Sequence, residues 1–291
     1  MRLVPSDILK GNSMKKLKKI VVPLVAIFGV VILLQICFVS GITGKIGLIY
    51  LPTYFNDTLR GGFTNPDDVY SIHILDKKAF VLSRGSLKYC QNLRLLDLDI
   101  ISDTTGLKNL DFLKNLDDLE SISLQCKSDD WSGLLNCRNL RYIKIFDSDF
   151  ADFKYLKNMN KIERLDISSV SELKYSDDVS FVSVDEIYIE APDFDFSIVK
   201  TAVNTTFLAI KSQDIYEFDE IKNMNSLKML KLIETDINMD ILALISKIES
   251  LEKLQLTECN FSISEEQVNE ALKSFYERKV EVTLNDCVFS E

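Results

Sequence analysis

Histidine is nearly missing from this chain: His73 stands alone among 291 residues. A Ser-His-Asp or Cys-His site could therefore form only around His73, which falls at an outward-facing place on a strand, and no G-x-S-x-G elbow accompanies it. No Walker loop, G-x-G-x-x-G, H-E-x-x-H or EF-hand spacing occurs, so no nucleotide, zinc-hydrolase or calcium motif is present. The six cysteines include no C-x-x-C pair, which removes the signature of a zinc ribbon or thiol redox site. Acidic pairs such as Asp117-Asp118 and Asp129-Asp130 read as solvated turns. The expectation is a chain with no catalytic residues, no cofactor and no metal ligands, hence not an enzyme. Glycine and proline are also scarce, at 10 and 5 residues, which argues against a long flexible linker. What remains is an apolar fraction of 46%, enough to bury a core.

Charge is divided unevenly. Residues 1–40 hold Arg2, Lys10, Lys15, Lys16, Lys18 and Lys19 against Asp7, a net +5 in a chain of net −10, so residues 41–291 carry −15. So acidic a segment repels phosphate backbones, and nucleic acid is excluded as a partner. The basic end precedes an apolar run, IVVPLVAIFGVVILLQICFV at 20–39, in which Gln35 is the one strongly polar side chain. A helix of this length, at about 1.5 Å per residue, spans the roughly 30 Å hydrocarbon core of a bilayer. With lysines clustered before the run and only Lys45 soon after it, the positive-inside rule places 1–19 as a cytoplasmic tail and 41–291 outside the membrane. Residues 20–40 are then a signal-anchor helix. Cleavage near Val39-Ser40-Gly41, which would release a secreted protein, stays open. A lipoprotein site at Cys37 is disfavoured, since Ile36 stands where such sites want a small residue. The stretch from Met14 opens like a bacterial targeting segment, which leaves Met1 and Met14 as competing starts.

Beyond the apolar run the chain repeats itself. The pattern L-x-x-L-x-L, with Ile or Val allowed, recurs as Leu93/Leu96/Leu98, Leu119/Ile122/Leu124, Leu140/Ile143/Ile145 and Ile162/Leu165/Ile167. It continues as Val184/Ile187/Ile189, Leu227/Leu230/Leu232 and Leu251/Leu254/Leu256, with weaker copies at Val69/Ile72/Ile74, Thr205/Leu208/Ile210 and Val282/Leu284. First positions fall 24, 26, 21, 22, 22, 21, 22 and 24 residues apart. Two further registers run in phase. Apolar residues three apart (Leu113/Leu116, Leu134/Cys137, Ile221/Met224) precede each strand pattern and predict a helical turn packed on a sheet. Five residues after the last strand position of six copies stand Phe150, Phe194, Ile215, Ile237, Phe261 and Phe289, an apolar spine under the loops. The repeat around 171–179 slips by one residue.

These three phased registers resemble the leucine-rich-repeat superfamily, in repeat length most like the bacterial 22-residue type of internalin-like cell-surface proteins. The resemblance covers residues 67–291. It implies an α/β leucine-rich-repeat solenoid, with a parallel sheet on the concave face and short helices or turns on the convex face, preceded here by one N-terminal transmembrane helix. One departure is plain: the place where the family carries a laddering Asn holds Lys127, Ser148, Val170, Pro192, Gln213, Thr235, Cys259 and Cys287, so irregular turns are expected. Both ends of such a stack need covers. A C-terminal cap helix at 264–278 is predicted by the Ser264–Gln267 capping box and the apolar face Val268, Ala271, Leu272, Phe275. Residues 41–66 supply a juxtamembrane segment and N-terminal cap, or lie on the membrane surface.

Function then falls to the concave face. Residues alternating with the core ones point out of the sheet, and the middle strands place Tyr142, Lys144, Phe146, Arg164, Tyr188, Phe207, Lys211, Met229, Lys231 and Ile233 there. Aromatic, Met and Arg side chains are enriched in protein interfaces, although strands favour such residues in any case. The expected partner is a protein or peptide; the alternative is an envelope-structural or self-associating protein without a soluble ligand. Cys259 and Cys287 share one repeat position, where strand spacing near 4.8 Å permits a disulfide; two reduced turn cysteines explain them equally well.

Overall fold

The computed structural model describes residues 62–290 apart from 76, 101–105, 160, 171–172 and 175–183, together with the backbone at 49–51, 54–55 and 58–59. The apolar run at 20–39, and with it the expected anchor, lies outside the described residues, as does most of the slipped repeat. Among the described residues no helix is long and apolar enough to cross a membrane.

The repeat pattern becomes a 12-stranded sheet. Its parallel strands are β1 (Ser71–Ile74), β2 (Leu95–Asp99), β3 (Ser121–Gln125), β4 (Tyr142–Phe146) and β5 (Ile162–Ser168). They continue as β6 (Val184–Glu190), β7 (Phe207–Lys211), β8 (Met229–Ile233), β9 (Lys253–Thr257) and β10 (Glu281–Asn285). Each strand pairs with the next in one unbroken register, so Leu96, Ile122, Ile143, Leu165, Ile187, Leu208, Leu230, Leu254 and Val282 form a single row. Every member except Val282 is buried. Burial of each such side chain contributes roughly 1.5–3 kcal/mol, and a one-residue slip would turn the whole row to solvent. The chain is thus an α/β leucine-rich-repeat solenoid.

Turns and helices cover the other side, and repeat length alone does not choose between them, since the 26-residue repeat returns through a 3-10 turn at Asp111–Asn115. Where first positions lie 21 or 22 residues apart, the return is a short 3-10 turn, as at Ser132–Asn136, Phe153–Leu156, Phe196–Val199 and Phe218–Asn223. The longer repeats have room for helices: α1 (Lys77–Leu87), α2 (Met239–Ile245) and α3 (Glu265–Glu277). The residues expected to anchor these turns, among them Leu87, Leu113, Leu134, Val199, Ile221 and Ile245, are all buried. Ser264 caps α3, its side chain accepting from the Gln267 N–H while the Gln267 side chain accepts from the Ser264 N–H. The aromatic spine forms in pieces. Phe150 meets Trp131 and Phe153 edge-on, and Phe261 stacks on Phe289 with centroids 5.1 Å apart.

No Asn ladder lines the described turns. Short polar side chains take its place. The Sγ of Cys259 lies 3.5 Å from the Leu232 carbonyl of the preceding repeat, and the Sγ of Cys287 lies 3.5 Å from the Leu256 carbonyl. Ser212 Oγ donates across repeats to the Pro192 carbonyl at 3.0 Å. Cys259 and Cys287 are both free thiols; each bonds back to a main-chain carbonyl one repeat earlier, which is the role the family gives to Asn.

The two ends of the sheet differ. At the N-terminal edge, Tyr54–Phe55 pairs antiparallel with β1, Tyr54 opposite His73 and Phe55 opposite Ile72, and Ile49–Leu51 pairs with Gly62–Thr64. At the C-terminal edge, β10 has β9 on one side and no strand on the other among the described residues.

Candidate functional site

Strands about 4.8 Å apart on one side, opposed by bulkier turns and helices on the other, bend a stack toward the sheet. The outward sheet face is therefore the inner face of the solenoid. Register places its side chains in rows. Tyr142 lies beside Arg164, Lys144 beside Asp166, and Phe146 beside Ser168. Farther on, Phe207 adjoins Met229, Ala209 adjoins Lys231, and Lys211 adjoins Ile233. The residues singled out from the sequence thus share one surface, spread over β4 to β8.

Their exposure is uneven. Tyr142 is 45% exposed, whereas Phe146, Tyr188, Phe207, Met229 and Ile233 are half-buried. Neighbours on this face explain it. The Lys144 ammonium sits 4.6 Å above the Phe146 ring, and Ala209, between Tyr188 and Lys231 in its row, is buried beneath them. The aromatic patch is consequently narrower than alternation predicts, with Tyr142 as its open member.

Charge on the face is paired. The Arg164 guanidinium lies 3.6 Å from Asp166 and 4.0 Å from Glu186. Lys211 sits 3.1 Å from both Glu190 and Glu234, and these bonds raise its pKa. Burial raises the Asp166 carboxyl, with Lys144 and Arg164 pulling it back. Tyr188 is likewise raised, by burial first and by Glu190 second. The basic residues Lys144, Arg164, Lys211, Lys231 and Lys253 nearly balance the acids Asp97, Asp99, Asp166, Glu186, Glu190 and Glu281. The excess negative charge of the chain therefore lies elsewhere.

Sequence reasoning missed Glu163. It accepts hydrogen bonds from the Tyr142 hydroxyl and from Arg141. These two bonds hold its carboxyl below the usual range, and the bond to Glu163 pushes the Tyr142 phenol up. Glu163 lies outside the L-x-x-L-x-L alternation that marks outward positions, so no pattern flagged it. Glu234 was missed for a related reason: it follows β8 in a left-handed conformation, φ 54°.

Two of the open surface hollows involve residues of this face. One of about 290 Å³ is lined by Ser121, Ser123, Tyr142, Lys144, Arg164 and Asp166. The other, about 410 Å³, lies at the ends of β6 to β8 around Glu190, Lys211, Ser212, Asp214 and Glu234. Among the described residues no group of His, Cys, Asp and Glu could hold a metal ion. His73 has Nδ1 3.3 Å from Asp97 and Nε2 3.2 Å from Ser71 Oγ. What the face offers is an open tyrosine beside fixed charges of both signs.

No protein-family model and no curated protein matches the sequence. Several solved structures align with the chain. An internalin (inlF) of Listeria monocytogenes aligns with TM-score 0.48 at 18% identity, over 75% of this chain and 67% of that one. Internalin C2 of the same organism aligns with TM-score 0.42 at 14% identity, over 86% and 96%. The mouse RP105/MD-1 complex gives TM-score 0.49 at 18% identity, over 71% of this chain and 36% of that one.

Proposed function

We propose that this chain is a membrane-tethered, extracytoplasmic leucine-rich-repeat protein that binds a protein or peptide on its concave face. The observation that carries the binding role is Tyr142. It is an exposed aromatic set in a hollow between Lys144, Arg164 and Asp166, on a sheet whose charges nearly cancel within an acidic chain. Interface anchors have this character. The tether rests on the lysine-flanked apolar run at 20–39.

The test is capture by the tagged full-length chain from the envelope fraction of its source. Tyr142→Ala combined with Phe207→Ala should abolish retention of the captured species while the circular dichroism spectrum stays that of the parent. Unchanged retention rejects the concave face as the site. Retention of nothing but further copies of the chain, lost in the same double variant, would favour a self-associating envelope protein instead.

A further inference from the structure

The C-terminal edge of the sheet differs from every other part of the solenoid. Core rows that are sealed throughout the stack open here: Leu254 and Leu256 on β9 are wholly buried, while Val282 and Leu284, their partners on β10, are half-buried. The aromatic spine opens with them. Phe289 stacks on Phe261 through one face and is only partly covered, and Val288 beside it is exposed. The opposite edge, β1, is covered by the antiparallel strand Tyr54–Phe55.

Main-chain polarity sharpens the point. The Glu281 N–H donates to the Glu252 carbonyl and the Asn285 carbonyl accepts from Glu258, so residues 281 and 285 direct their peptide groups toward β9. By strand alternation Thr283 does the same, and the N–H and C=O groups of Val282 and Leu284 point to the open side. An unpaired edge of this kind templates another strand unless a proline, a lysine or an inward charge blunts it. Within Glu-Val-Thr-Leu-Asn there is no proline and no lysine, and its one charge, Glu281, faces outward and is tied to Lys253.

The strand is also complementary to itself. Turned about a two-fold axis through Thr283, it sets Val282 against Leu284 of a second copy on the core side. On the concave side it sets Glu281 against Asn285 and Thr283 against Thr283. No like charges meet. Val282 and Leu284 are the residues with free peptide groups, so each opposed Val–Leu pair exchanges both main-chain bonds, as an antiparallel hydrogen-bonded pair requires. Moving the axis by one residue to Leu284 would bring Asp286 against Val282.

We infer that two copies of this chain join end to end through antiparallel pairing of β10 about Thr283, forming an isologous dimer whose sheet and core run continuously across the two-fold. The inference does not rest on the concave-face reading, since the ligand-facing strands β4 to β8 stay open in such a dimer. The experiment uses the full-length chain in detergent micelles. Thr283→Cys should give a band of doubled mass on mild oxidation, absent from the parent, because directly opposed residues of a non-hydrogen-bonded antiparallel pair fall within disulfide range. Glu281→Cys and Asn285→Cys should cross-link when mixed and not singly. Thr283→Lys should weaken concentration-dependent self-association about tenfold by opposing two ammonium groups, and mixing it with Thr283→Glu should restore it. Two results overturn the inference. One is a Thr283→Cys chain that cross-links no more than the parent; the other is a Glu281→Cys chain that cross-links alone as readily as Thr283→Cys.

Discussion

The Thr205 hydroxyl donates a 2.8 Å hydrogen bond to the carbonyl of Val184, the residue that occupies its own repeat position one turn earlier. From Val69 to Leu251, Thr205 is the one polar residue in a register otherwise filled by Val, Leu and Ile, and it is fully buried. Its bond replaces the apolar contact its neighbours make, so the weakest-looking copy of the repeat is sealed by other means. Thr205→Val keeps the shape and strands the Val184 carbonyl, which should cost about 1–3 kcal/mol. Thr205→Ser should recover most of that. Urea midpoints of the three chains check it, and a Val variant as stable as the parent would remove the bond from the account.

Gly133 is irreplaceable for a steric reason. A Cβ there would stand 2.2 Å from the Leu110 carbonyl oxygen, main-chain atoms that cannot rotate away. The turn Ser132–Asn136 must therefore shift off its neighbour to admit a methyl group. Gly133→Ala is expected to destabilise by about 1–3 kcal/mol, read as a lowered thermal midpoint with the parent's secondary structure retained. A midpoint within error of the parent would show that the two turns are not in contact.

Burial pushes the thiols of Cys90, Cys126 and Cys137 up to about 12 and that of Cys259 to about 11. The unfolded chain loses these protons near the ordinary value of 9.0, while the folded chain keeps them. The stabilising contribution is therefore fully present below about 9 and is lost as pH rises toward 12. Urea midpoints should fall across that window, and fall less steeply in a Cys126→Ala, Cys137→Ala chain. Identical slopes would show that these thiols titrate alike in both states.

The proposed tether makes a prediction of its own. Alkaline carbonate washing should leave the full-length chain in the membrane pellet, and protease added to intact spheroplasts should digest residues 41–291 while sparing the basic tail. Release into the supernatant of a chain lacking residues 1–40 would replace the anchor with a cleaved signal.

The solenoid was readable because its information is periodic. Leu96, Ile122 and Ile143 recur in the same L-x-x-L-x-L place of successive repeats, and a parallel stack aligns them. The C-terminal cap helix was legible too, from the Ser264–Gln267 capping box. The site was legible only as a row of positions. That Tyr142 stands open while Phe207 and Tyr188 are half-covered depends on which side chain lies across the next strand. Glu163 reaches Arg141 and Tyr142 from 22 and 21 residues away, a meeting no local pattern encodes. The cysteines show the same limit. Position marked Cys259 and Cys287 as neighbours, but not that each thiol would reach back to a carbonyl of the preceding repeat.

Sequence alone determined the period, the inward and outward faces and the acidic balance of the segment beyond the apolar run, because burial in a repeat stack follows one-dimensional alternation. Tertiary structure decided the rest: which aromatic is open, which charges are spent on one another, and that no strand pairs with the outer side of the Glu281–Asn285 edge among the described residues. Those properties belong to contacts between successive repeats, and they exist only once the stack is built.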